Sequence, residues 1–355
     1  MNAPHPRIPH PGPAARPRRG IALTPMETRR SVIVDMAVLA DELGYELFSV
    51  PEGWGFDSTL VLTEIALKTK RLRPMSGILS VWSRTPGAIA MNAATLYDIS
   101  GGRYVLGLGA STKALAEGFH GVPFTRPRRK LTATVDEVRR LLAGERADLP
   151  DAIETRPLRL GQKPAPGLPI FIAAIGPKTV RDAARHGDGW FPYYVTRDRF
   201  AVWAPELREV RRAAGLDPAA FTVLGGPTVS VKADAAAARQ AVATNVAWYI
   251  TAMGDVYANS LRKQGHARAV EEVIAANPKP SPSQGVVPET AEVLLDQLTA
   301  YGDPDRVAAQ LAKWDARVDV NMIGLAPGAP WDEIEAILQA SAPAAASSGV
   351  TGDAA

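Results

Sequence analysis

The sequence predicts an α/β protein built as a (β/α)8 TIM barrel, with insertions after strands four and seven. Eight short runs rich in β-branched residues alternate with segments of helical periodicity, the order expected of a barrel. The runs are apolar without a polar alternation, which indicates parallel strands buried on both faces. A doubly wound sheet fits this order less well, because eight strand–helix units follow one another.

The predicted strands share an apolar, β-branched composition and are bounded by Gly, Pro or polar residues. They cover residues 19–24, 47–50, 74–81, 104–109, 169–175, 189–195, 221–231 and 320–325.

The helices are predicted from apolar spacing and from their start signals. Ile33, Met36, Ala37 and Ala40 follow the i, i+3, i+4, i+7 pattern within a helix over 27–43. Further helices are predicted over 58–68, from Pro86, over 130–142, from Pro177 and over 333–340. Residues 110–126 and 232–302 are too long for simple connections. The second insertion is predicted to be helical over 235–257 and 289–301.

Composition excludes several classes of function. The chain has 355 residues, 46% of them hydrophobic and 22% charged, and no Cys. Thiolate metal sites and cysteine nucleophiles are therefore absent, and the five His show no i, i+4 pair, so no metal site is expected. Acyl-transfer hydrolysis is also unsupported, because no Gly-x-Ser-x-Gly segment is present.

The two ends differ in composition from the middle, so we expect three regions. Residues 1–18 form a Pro- and Arg-rich leader, residues 19–340 the barrel domain and residues 341–355 a loose tail. The net charge of +3 comes from the arginines near the start, and the leader lacks aromatics for stacking on bases, so no nucleic-acid partner is expected. No apolar run is long enough for a signal peptide or a membrane span, so we expect a cytoplasmic protein.

The end of the fourth strand is rich in glycine. The segment GLGAST ends at Thr112 and includes Gly109, Ala110 and Ser111. It matches only half of a dinucleotide fingerprint, because the third Gly is missing. Glycines at a strand end let a flat ligand or a phosphate approach the backbone, but a tight strand exit without a ligand explains them equally well.

The segment after the fifth strand has the composition of an anion site. Ile175, Gly176, Pro177, Lys178 and Thr179 place a Gly, a Pro and a Thr at the start of a helix. Free amides at a helix start, with the Thr179 hydroxyl and Lys178, would bind a phosphate. An ordinary strand–helix turn is the alternative.

Polar and aromatic residues follow the second and third strands. Glu52 lies near Trp54 and could transfer a proton, or it could form a salt bridge. Asp57 is expected to cap the next helix. Trp82 and Arg84 follow the third strand, and Arg84 could bind an anionic group or pair with an acid.

Together these segments resemble the luciferase-like oxidoreductase superfamily, which includes bacterial luciferase and F420-dependent methylenetetrahydromethanopterin reductase. The resemblance rests on AATLYDISGGRYVLGLG, on PIFIAAIGPKTVRDAARHGDGWF and on YGDPDRVAAQLAKWDARVDVNMIGLAP. Such proteins bind a flavin or a deazaflavin across the carboxyl-terminal mouth of a TIM barrel. The SRTP after strand three and the GASTKALAEGFHG loop look closer to members that use coenzyme F420.

The resemblance implies specific roles for residues of this chain. The cofactor would lie on Gly77, Ile78 and Leu79, with a cis peptide bond between Gly77 and Ile78, and on Gly109, Ala110 and Ser111. Its phosphate would lie on the segment from Ile175 to Thr179. From the residues themselves rather than from the resemblance, we take Glu52 as the candidate catalytic residue for proton transfer, and Trp54, Trp82 and Arg84 as candidates for binding substrate.

Three functions stay open at this point. The first is hydride transfer between F420 and a small organic substrate. The second is an FMNH2-dependent monooxygenase fed by a separate reductase, and the third is a phosphate-ligand-binding barrel without redox chemistry. The sequence is compatible with a homodimer as the oligomeric state. Two positions depart from the F420-dependent pattern, since Pro51-Glu52 replaces an Asp-His pair and Thr112-Lys113 replaces a carboxylate.

Overall fold

The computed structural model of the chain describes residues 17–148 and 156–343. Within these residues, nine parallel strands surrounded by helices form a nearly closed barrel, so the predicted TIM barrel is confirmed. Most of the predicted leader and tail lies outside the described residues.

The described part of the chain contains eleven strands. They are β1 Arg19–Ala22, β2 Leu47–Val50, β3 Arg73–Ser76, β4 Leu79–Ser80, β5 Leu106–Gly109, β6 Ile170–Ile172, β7 Gly189–Trp190, β8 Thr222–Gly225, β9 Thr228–Val231, β10 Thr299–Gly302 and β11 Val320–Gly324.

Nine of these strands form the barrel in the order β3-β2-β1-β11-β8-β7-β6-β5-β4. The predicted third strand is divided, because β3 pairs with β2 whereas β4 pairs with β5. Residues Gly77 and Ile78 lie between the two halves. A single bridge between Met75 and Val105 connects β3 to the strand on its other side, which makes the closure incomplete.

Three predicted elements differ from the structure. The predicted sixth strand ends at Trp190 rather than residue 195, since Pro192 has no amide to donate. The predicted seventh strand is broken between β8 and β9, where Pro227 follows Gly226. Thr299–Gly302, predicted as the end of a helix, is strand β10 and pairs in parallel with β9.

Within residues 17–148 and 156–343, thirteen α-helices surround or extend the barrel. They are α1 Arg30–Glu42, α2 Ser58–Lys68, α3 Pro86–Ile99, α4 Lys113–Gly118, α5 Pro127–Leu142, α6 Pro177–His186, α7 Arg197–Ala213, α8 Ala235–Thr251, α9 Asp255–Leu261, α10 Ala267–Ala276, α11 Glu292–Leu298, α12 Pro304–Asp315 and α13 Trp331–Ala340. None of these helices is both long and apolar enough to cross a membrane.

Local signals explain where several helices begin. Thr85 caps α3 with its side chain and Pro86 follows at the first helical position, as predicted. Asp234 caps α8 and Asp303 caps α12 in the same way.

The barrel strands bury side chains on both faces. One cluster fills the barrel interior and includes Leu47, Met75, Phe171 and Met322. Neighbouring positions such as Phe48 point outward into a larger core between strands and helices. This two-sided burial is the reason that the strands read as uninterrupted apolar runs.

Both predicted insertions are present. Helix α4 lies in the insertion after β5, and helices α8 to α11 form the insertion between β9 and β10. The second insertion has a core of its own under α8, with Val242, Val246, Leu261 and Leu294 among its members.

The first described residues are tied to the barrel. The Arg18 guanidinium donates to both carboxylate oxygens of Glu46, at 2.6 and 2.5 Å. Arg19 pairs with Asp315 at 2.7 Å and donates to the Ser341 carbonyl at 3.1 Å. The barrel's contacts therefore include Arg18, which was predicted to belong to the leader.

Candidate active site

The predicted site residues gather at one end of the barrel. Glu52 follows β2, Trp82 and Arg84 follow β4, Ala110 follows β5 and Gly176 follows β6. Since all strands are parallel, these segments meet at the carboxyl-terminal mouth, where barrels place their active sites. Strands β4, β5 and β6 are successive in the sheet order, and β2 reaches them through β3, the first half of the divided third strand. The residues therefore form one arc of the rim.

Glu52 is held by three donors. Its carboxylate forms an ion pair with the Arg84 guanidinium and accepts from the Ser80 amide at 3.0 Å and from the Ser83 hydroxyl at 3.1 Å. Its side chain is only 9% exposed. Of the two alternatives for Glu52, the structure shows the salt bridge.

Arg84 also binds Asp57, at 2.8 Å. Burial acts to lower the pKa of the Arg84 guanidinium, but its hydrogen bonds and charge interactions with Glu52 and Asp57 outweigh burial and raise that pKa. Asp57 accepts from the Thr59 amide at 3.0 Å and caps α2, as predicted. Glu52 and Asp57 therefore hold the Arg84 guanidinium between the end of β2 and the end of β4.

The two tryptophans lie in different environments. Trp82 is 8% exposed, and its indole nitrogen donates to the Ala110 carbonyl at 2.7 Å. Its ring also packs against Phe124, with centroids 5.3 Å apart. Trp54 is 49% exposed and offers a free aromatic surface at the rim. Trp82 is therefore packed into the rim of the barrel, whereas the exposed ring of Trp54 is accessible to a ligand.

The gap in the third strand has unusual backbone geometry. The predicted cis bond is absent, since no peptide bond among the described residues is cis, and Ile78 instead has a φ of +90°. A β-branched residue rarely adopts this conformation, which costs about 1–3 kcal/mol. At Ile78 the chain passes from β3, which pairs with β2, to β4, which pairs with β5, and it does so without a cis peptide bond.

Close contacts explain the glycines beside this gap. A Cβ on Gly77 would lie 2.6 Å from the Ser49 hydroxyl, and a Cβ on Gly109 would lie 2.5 Å from Ile78. Both glycines allow neighbouring strands to approach. Ser111, two residues further on, also has a positive φ of +54°.

The first turn of α6 has free backbone amides, the feature on which the predicted anion site depends. Pro177 occupies the first turn, and the amides of Lys178 and Thr179 have no carbonyl acceptor within the helix. A Cβ on Gly176 would meet only the Thr179 hydroxyl, at 3.5 Å, so the space beside this turn is open. The Thr179 hydroxyl donates to the Gly176 carbonyl at 2.9 Å.

Four tyrosines form the opposite side of the mouth. Tyr193, Tyr194, Tyr249 and Tyr257 pack with ring centroids 4.7–5.8 Å apart. Burial raises the pKa of Tyr257 to about 12 and the pKa values of the other three well above the usual value. All four phenols therefore stay protonated at neutral pH.

A cavity of about 30 Å³ lies beside the tyrosines, between the ends of β7, β8 and β11. Its lining includes Tyr193, Tyr194, Gly226 and Met322. Tyr194 has a positive φ of +55°, and its hydroxyl donates to Asn245 at 3.2 Å. Sequence reasoning missed Tyr193 and Tyr194 because it placed them in a strand, although Pro192 was the signal that the strand ends earlier. It placed Tyr249 and Tyr257 in a helix and had no signal that they meet the other two.

The fold and this arc of strand ends define a barrel enzyme with its ligand at the carboxyl-terminal mouth. The sequence matches the family model for luciferase-like monooxygenases over residues 14–319, and the chain belongs to that family. The prediction of an oxidoreductase is thereby confirmed.

Three known proteins show the range of this similarity. A protein of Mycobacterium tuberculosis, named a coenzyme F420-dependent oxidoreductase, is 29% identical over 312 residues, which is 79% of this chain and 87% of that protein. The structure of a coenzyme F420-dependent tetrahydromethanopterin reductase from Methanopyrus kandleri gives a TM-score of 0.73 at 22% identity, covering 93% of this chain and 99% of that one. The oxygenating constituent of 3,6-diketocamphane monooxygenase from Pseudomonas putida, with FMN, gives 0.65 at 17% identity, covering 92% and 98%.

Proposed function

We propose that the chain transfers hydride between coenzyme F420 and a small organic substrate at the mouth of the barrel. The observation that most supports this proposal is the arc formed by Ile78, Gly109 and Gly176. Ala110 and Ser111 after β5 and Gly176 before α6 are half-buried, whereas Gly109 is packed against Ile78. The two segments are close because the Ala173 amide donates to the Leu108 carbonyl, at 2.9 Å. The similarity of the chain to proteins named as F420-dependent supports F420 as its cofactor.

The residues on this arc fit the cofactor. The free amides of Lys178 and Thr179, with open space beside Gly176, suit a phosphate. Gly77, Ile78 and Leu79 would support the ring from one side, and Gly109, Ala110 and Ser111 would border it. When bound, the deazaflavin supplies the hydride carrier that the side chains of this chain lack.

The side chains around the arc would orient the substrate and exclude water. Arg84 holds the Glu52 and Asp57 carboxylates in place at the rim, and Trp54 offers an apolar face. Reduction of a carbonyl also needs a proton, and the Glu52 carboxylate lies beside this arc, since it accepts from the Ser80 amide at 3.0 Å. Because donors occupy both Glu52 oxygens, proton transfer would require its bond to Arg84 to open.

The experiment is a titration of the purified protein with F420 and with FMN, followed by fluorescence. We expect F420 to bind and to be reduced by a substrate without oxygen consumption. Preference for FMN, with substrate oxidation that needs oxygen and a separate reductase, would instead support the monooxygenase function. Binding of phosphate compounds with no redox change in either cofactor would contradict both.

We also propose a homodimer as the working oligomeric state. Leu60 and Leu67 lie one heptad apart on α2 and each is 72% exposed, so a second copy of the chain could cover both side chains. Sedimentation analysis tests this, and a monomer at micromolar concentration would contradict it.

A further inference from the structure

The cavity beside the tyrosines combines apolar walls with residues that carry hydroxyl groups. Phe191 and Met322 supply apolar surface, and Tyr193 and Thr228 lie in the same lining. A Cβ on Gly324, which also lines the cavity, would lie 3.5 Å from the Thr228 hydroxyl. That hydroxyl therefore lies at the wall of the cavity, and Tyr193 beside it is only half-buried.

The cavity opens at the same mouth as the candidate cofactor site. Tyr193 follows β7, which pairs with β6, and the segment at Gly176 follows β6. On the other side, Met26 follows β1 and packs against the tyrosines. A Cβ on Gly53, after β2, would lie 2.6 Å from Pro25. The tyrosines and the end of β2 therefore border one opening.

One buried hydroxyl at this opening lacks a partner. The Thr24 side chain is 5% exposed, and its hydroxyl makes no hydrogen bond of normal length to any residue that the structure describes. Burial raises the pKa of the Tyr249 phenol, whereas Thr24 acts to lower it, so the Thr24 hydroxyl faces that phenol. A buried hydroxyl without a partner costs about 1–3 kcal/mol, and a polar ligand or an ordered water at this point would remove that cost.

The interactions among the phenols single out Tyr193. Burial is the largest influence and raises its pKa, but Tyr249 and Thr228 act to lower it, the effect of donors directed at the Tyr193 oxygen. The same contact raises the pKa of Tyr249, as expected for the donor. For Tyr257, burial alone raises the pKa, to about 12. A phenolate formed at Tyr193 is therefore the one that its neighbours stabilise.

We propose that the Tyr193 phenol, with the Thr228 hydroxyl beside it, binds the oxygen of a carbonyl substrate and donates the proton that completes its reduction to an alcohol. The inference rests on the proposed function and names its substrate class. The carbonyl carbon accepts the hydride of reduced F420, which is thereby oxidised. The π electrons of the C=O bond move to the oxygen, which takes the proton of Tyr193, and water returns a proton to the phenolate. Oxidation of the alcohol follows the same steps in reverse.

Tyr193 suits this role better than Glu52. The Glu52 carboxylate pairs with Arg84 and accepts from the Ser80 amide, so it must break these bonds before it moves a proton. A phenol with a raised pKa stays protonated at neutral pH. An alkoxide is a stronger base than a phenolate, so transfer of the proton from Tyr193 is favourable.

The test follows oxidation of reduced F420 by acetone, cyclohexanone and benzaldehyde, with N-methylmaleimide as a probe for reduction of a C=C bond. We expect the parent to reduce a carbonyl probe. Tyr193→Phe keeps the ring and removes the phenol oxygen, so turnover should fall about 10²-fold or more while F420 affinity stays the same.

Two further variants test the neighbours of Tyr193. Tyr249→Phe removes a donor to the developing phenolate and should lower kcat about tenfold. Thr228→Val removes a hydrogen bond to the substrate oxygen and should raise KM roughly 3- to 10-fold. The matched control is Tyr97→Phe, near the end of α3 and away from the mouth, which should keep the parent's turnover. Thermal unfolding should show all four variants folded.

The outcomes separate the inference from the proposed function. Parent-like turnover of Tyr193→Phe overturns the inference, and so does a parent that binds F420 but reduces none of the carbonyl probes. If Tyr193→Phe does not fold, unchanged kinetics of both Tyr249→Phe and Thr228→Val overturn it. Each of these results leaves hydride transfer with F420 in place. Failure of the parent to bind F420 overturns the proposed function and the inference with it.

Discussion

Glu52 and Arg84 join two neighbouring strand ends at the mouth of the barrel. Glu52 follows β2 and Arg84 follows β4, and their ion pair spans the divided third strand beside Ile78. The pair is largely buried and receives further hydrogen bonds from Ser80 and Ser83. A group in this position can hold the rim in shape, exchange a proton with the substrate, or do both.

The variant Glu52→Gln separates these roles. It keeps the shape of the side chain and removes the titratable proton, so turnover should fall about 10²-fold or more if Glu52 takes part in proton transfer. The affinity for the cofactor should hardly change. Steady-state kinetics across the pH range and a cofactor titration measure the two effects. Glu46→Gln is the matched control, since Glu46 also pairs with an arginine but precedes β2 at the other end of the barrel. Wild-type turnover of Glu52→Gln at every pH would make Glu52 structural.

Gly107→Ala should destabilise the barrel by about 3 kcal/mol. A Cβ at this position would lie 2.1 Å from the Ser76 carbonyl oxygen, and a backbone atom cannot rotate away. Urea unfolding measures the loss. Gly118→Ala is the control, because nothing lies within 4 Å of its Cβ position and alanine favours helix α4. Equal stability of the two variants would show that β3 and β5 are further apart than described.

Thr179→Val tests the phosphate end of the site. In the structure its hydroxyl donates to the Gly176 carbonyl, and it would turn to donate to a phosphate. Loss of one hydrogen bond to a charged group should weaken cofactor binding by about 1.5–3 kcal/mol, roughly 10- to 100-fold. The turn should persist because the Val180 amide also donates to Gly176, at 2.9 Å. Gly176→Val should obstruct the phosphate still more.

The control for this loop is Thr63→Val on α2, which removes a hydroxyl bonded to the Thr59 carbonyl at 2.8 Å. It should leave cofactor affinity unchanged. If Thr179→Val binds F420 and FMN as tightly as the parent, the phosphate lies elsewhere.

His186 should make stability depend on pH. Its hydrogen bond to Asp136, 2.8 Å long, raises the pKa of the imidazole in the folded state. Protonated His186 therefore stabilises the fold fully below its unfolded pKa of about 6.5, and this contribution is lost as pH rises through the folded pKa. Compared with His186→Gln, the parent should gain less than about 1 kcal/mol at low pH, since the pair is partly exposed. The gain should vanish in an Asp136→Asn background.

Removal of residues 1–16 should leave the melting temperature unchanged within a few degrees, because their sequence offers no apolar periodicity to bury. Removal of residues 1–18 should lower it. That longer deletion breaks the two-bond ion pair of Arg18 with Glu46 and a hydrogen bond of 2.9 Å from the Asn321 amide to the Arg18 carbonyl. A large effect of the shorter deletion would show that the first residues pack on the protein.

Features carried by neighbouring residues could be predicted from the sequence. The cap at Asp57, the helix starts at Pro86 and Pro177 and the buried strands all follow from local chemistry, and the structure confirms them. The position of Glu52, Arg84 and Gly176 on one rim also follows, because parallel strands end at the same side of a barrel.

Features that depend on contacts through space could not be predicted. Glu52 and Arg84 are 32 residues apart, and they meet because β4 continues the divided third strand whose first half, β3, pairs with β2. Ile78, where the third strand is divided, has a positive φ, and the cis bond predicted between Gly77 and Ile78 is absent. Tyr193 and Tyr194 are a different case: Pro192 signalled the end of the strand before them, but their high strand propensity led to a prediction of a longer strand.

The β9–β10 pair has a consequence for how members of this family diverge. Strand β11 pairs directly with β8, so the barrel is joined without the insertion between β9 and β10. That insertion is closed on itself, since its first residue, Lys232, donates its amide to the Gly302 carbonyl at 2.9 Å. We therefore expect changes of length or sequence in the insertion to leave the pairing of β11 with β8 in place. Evolution can therefore rebuild one wall of the mouth, including Tyr249 and Tyr257, while the strand ends that face the cofactor stay the same.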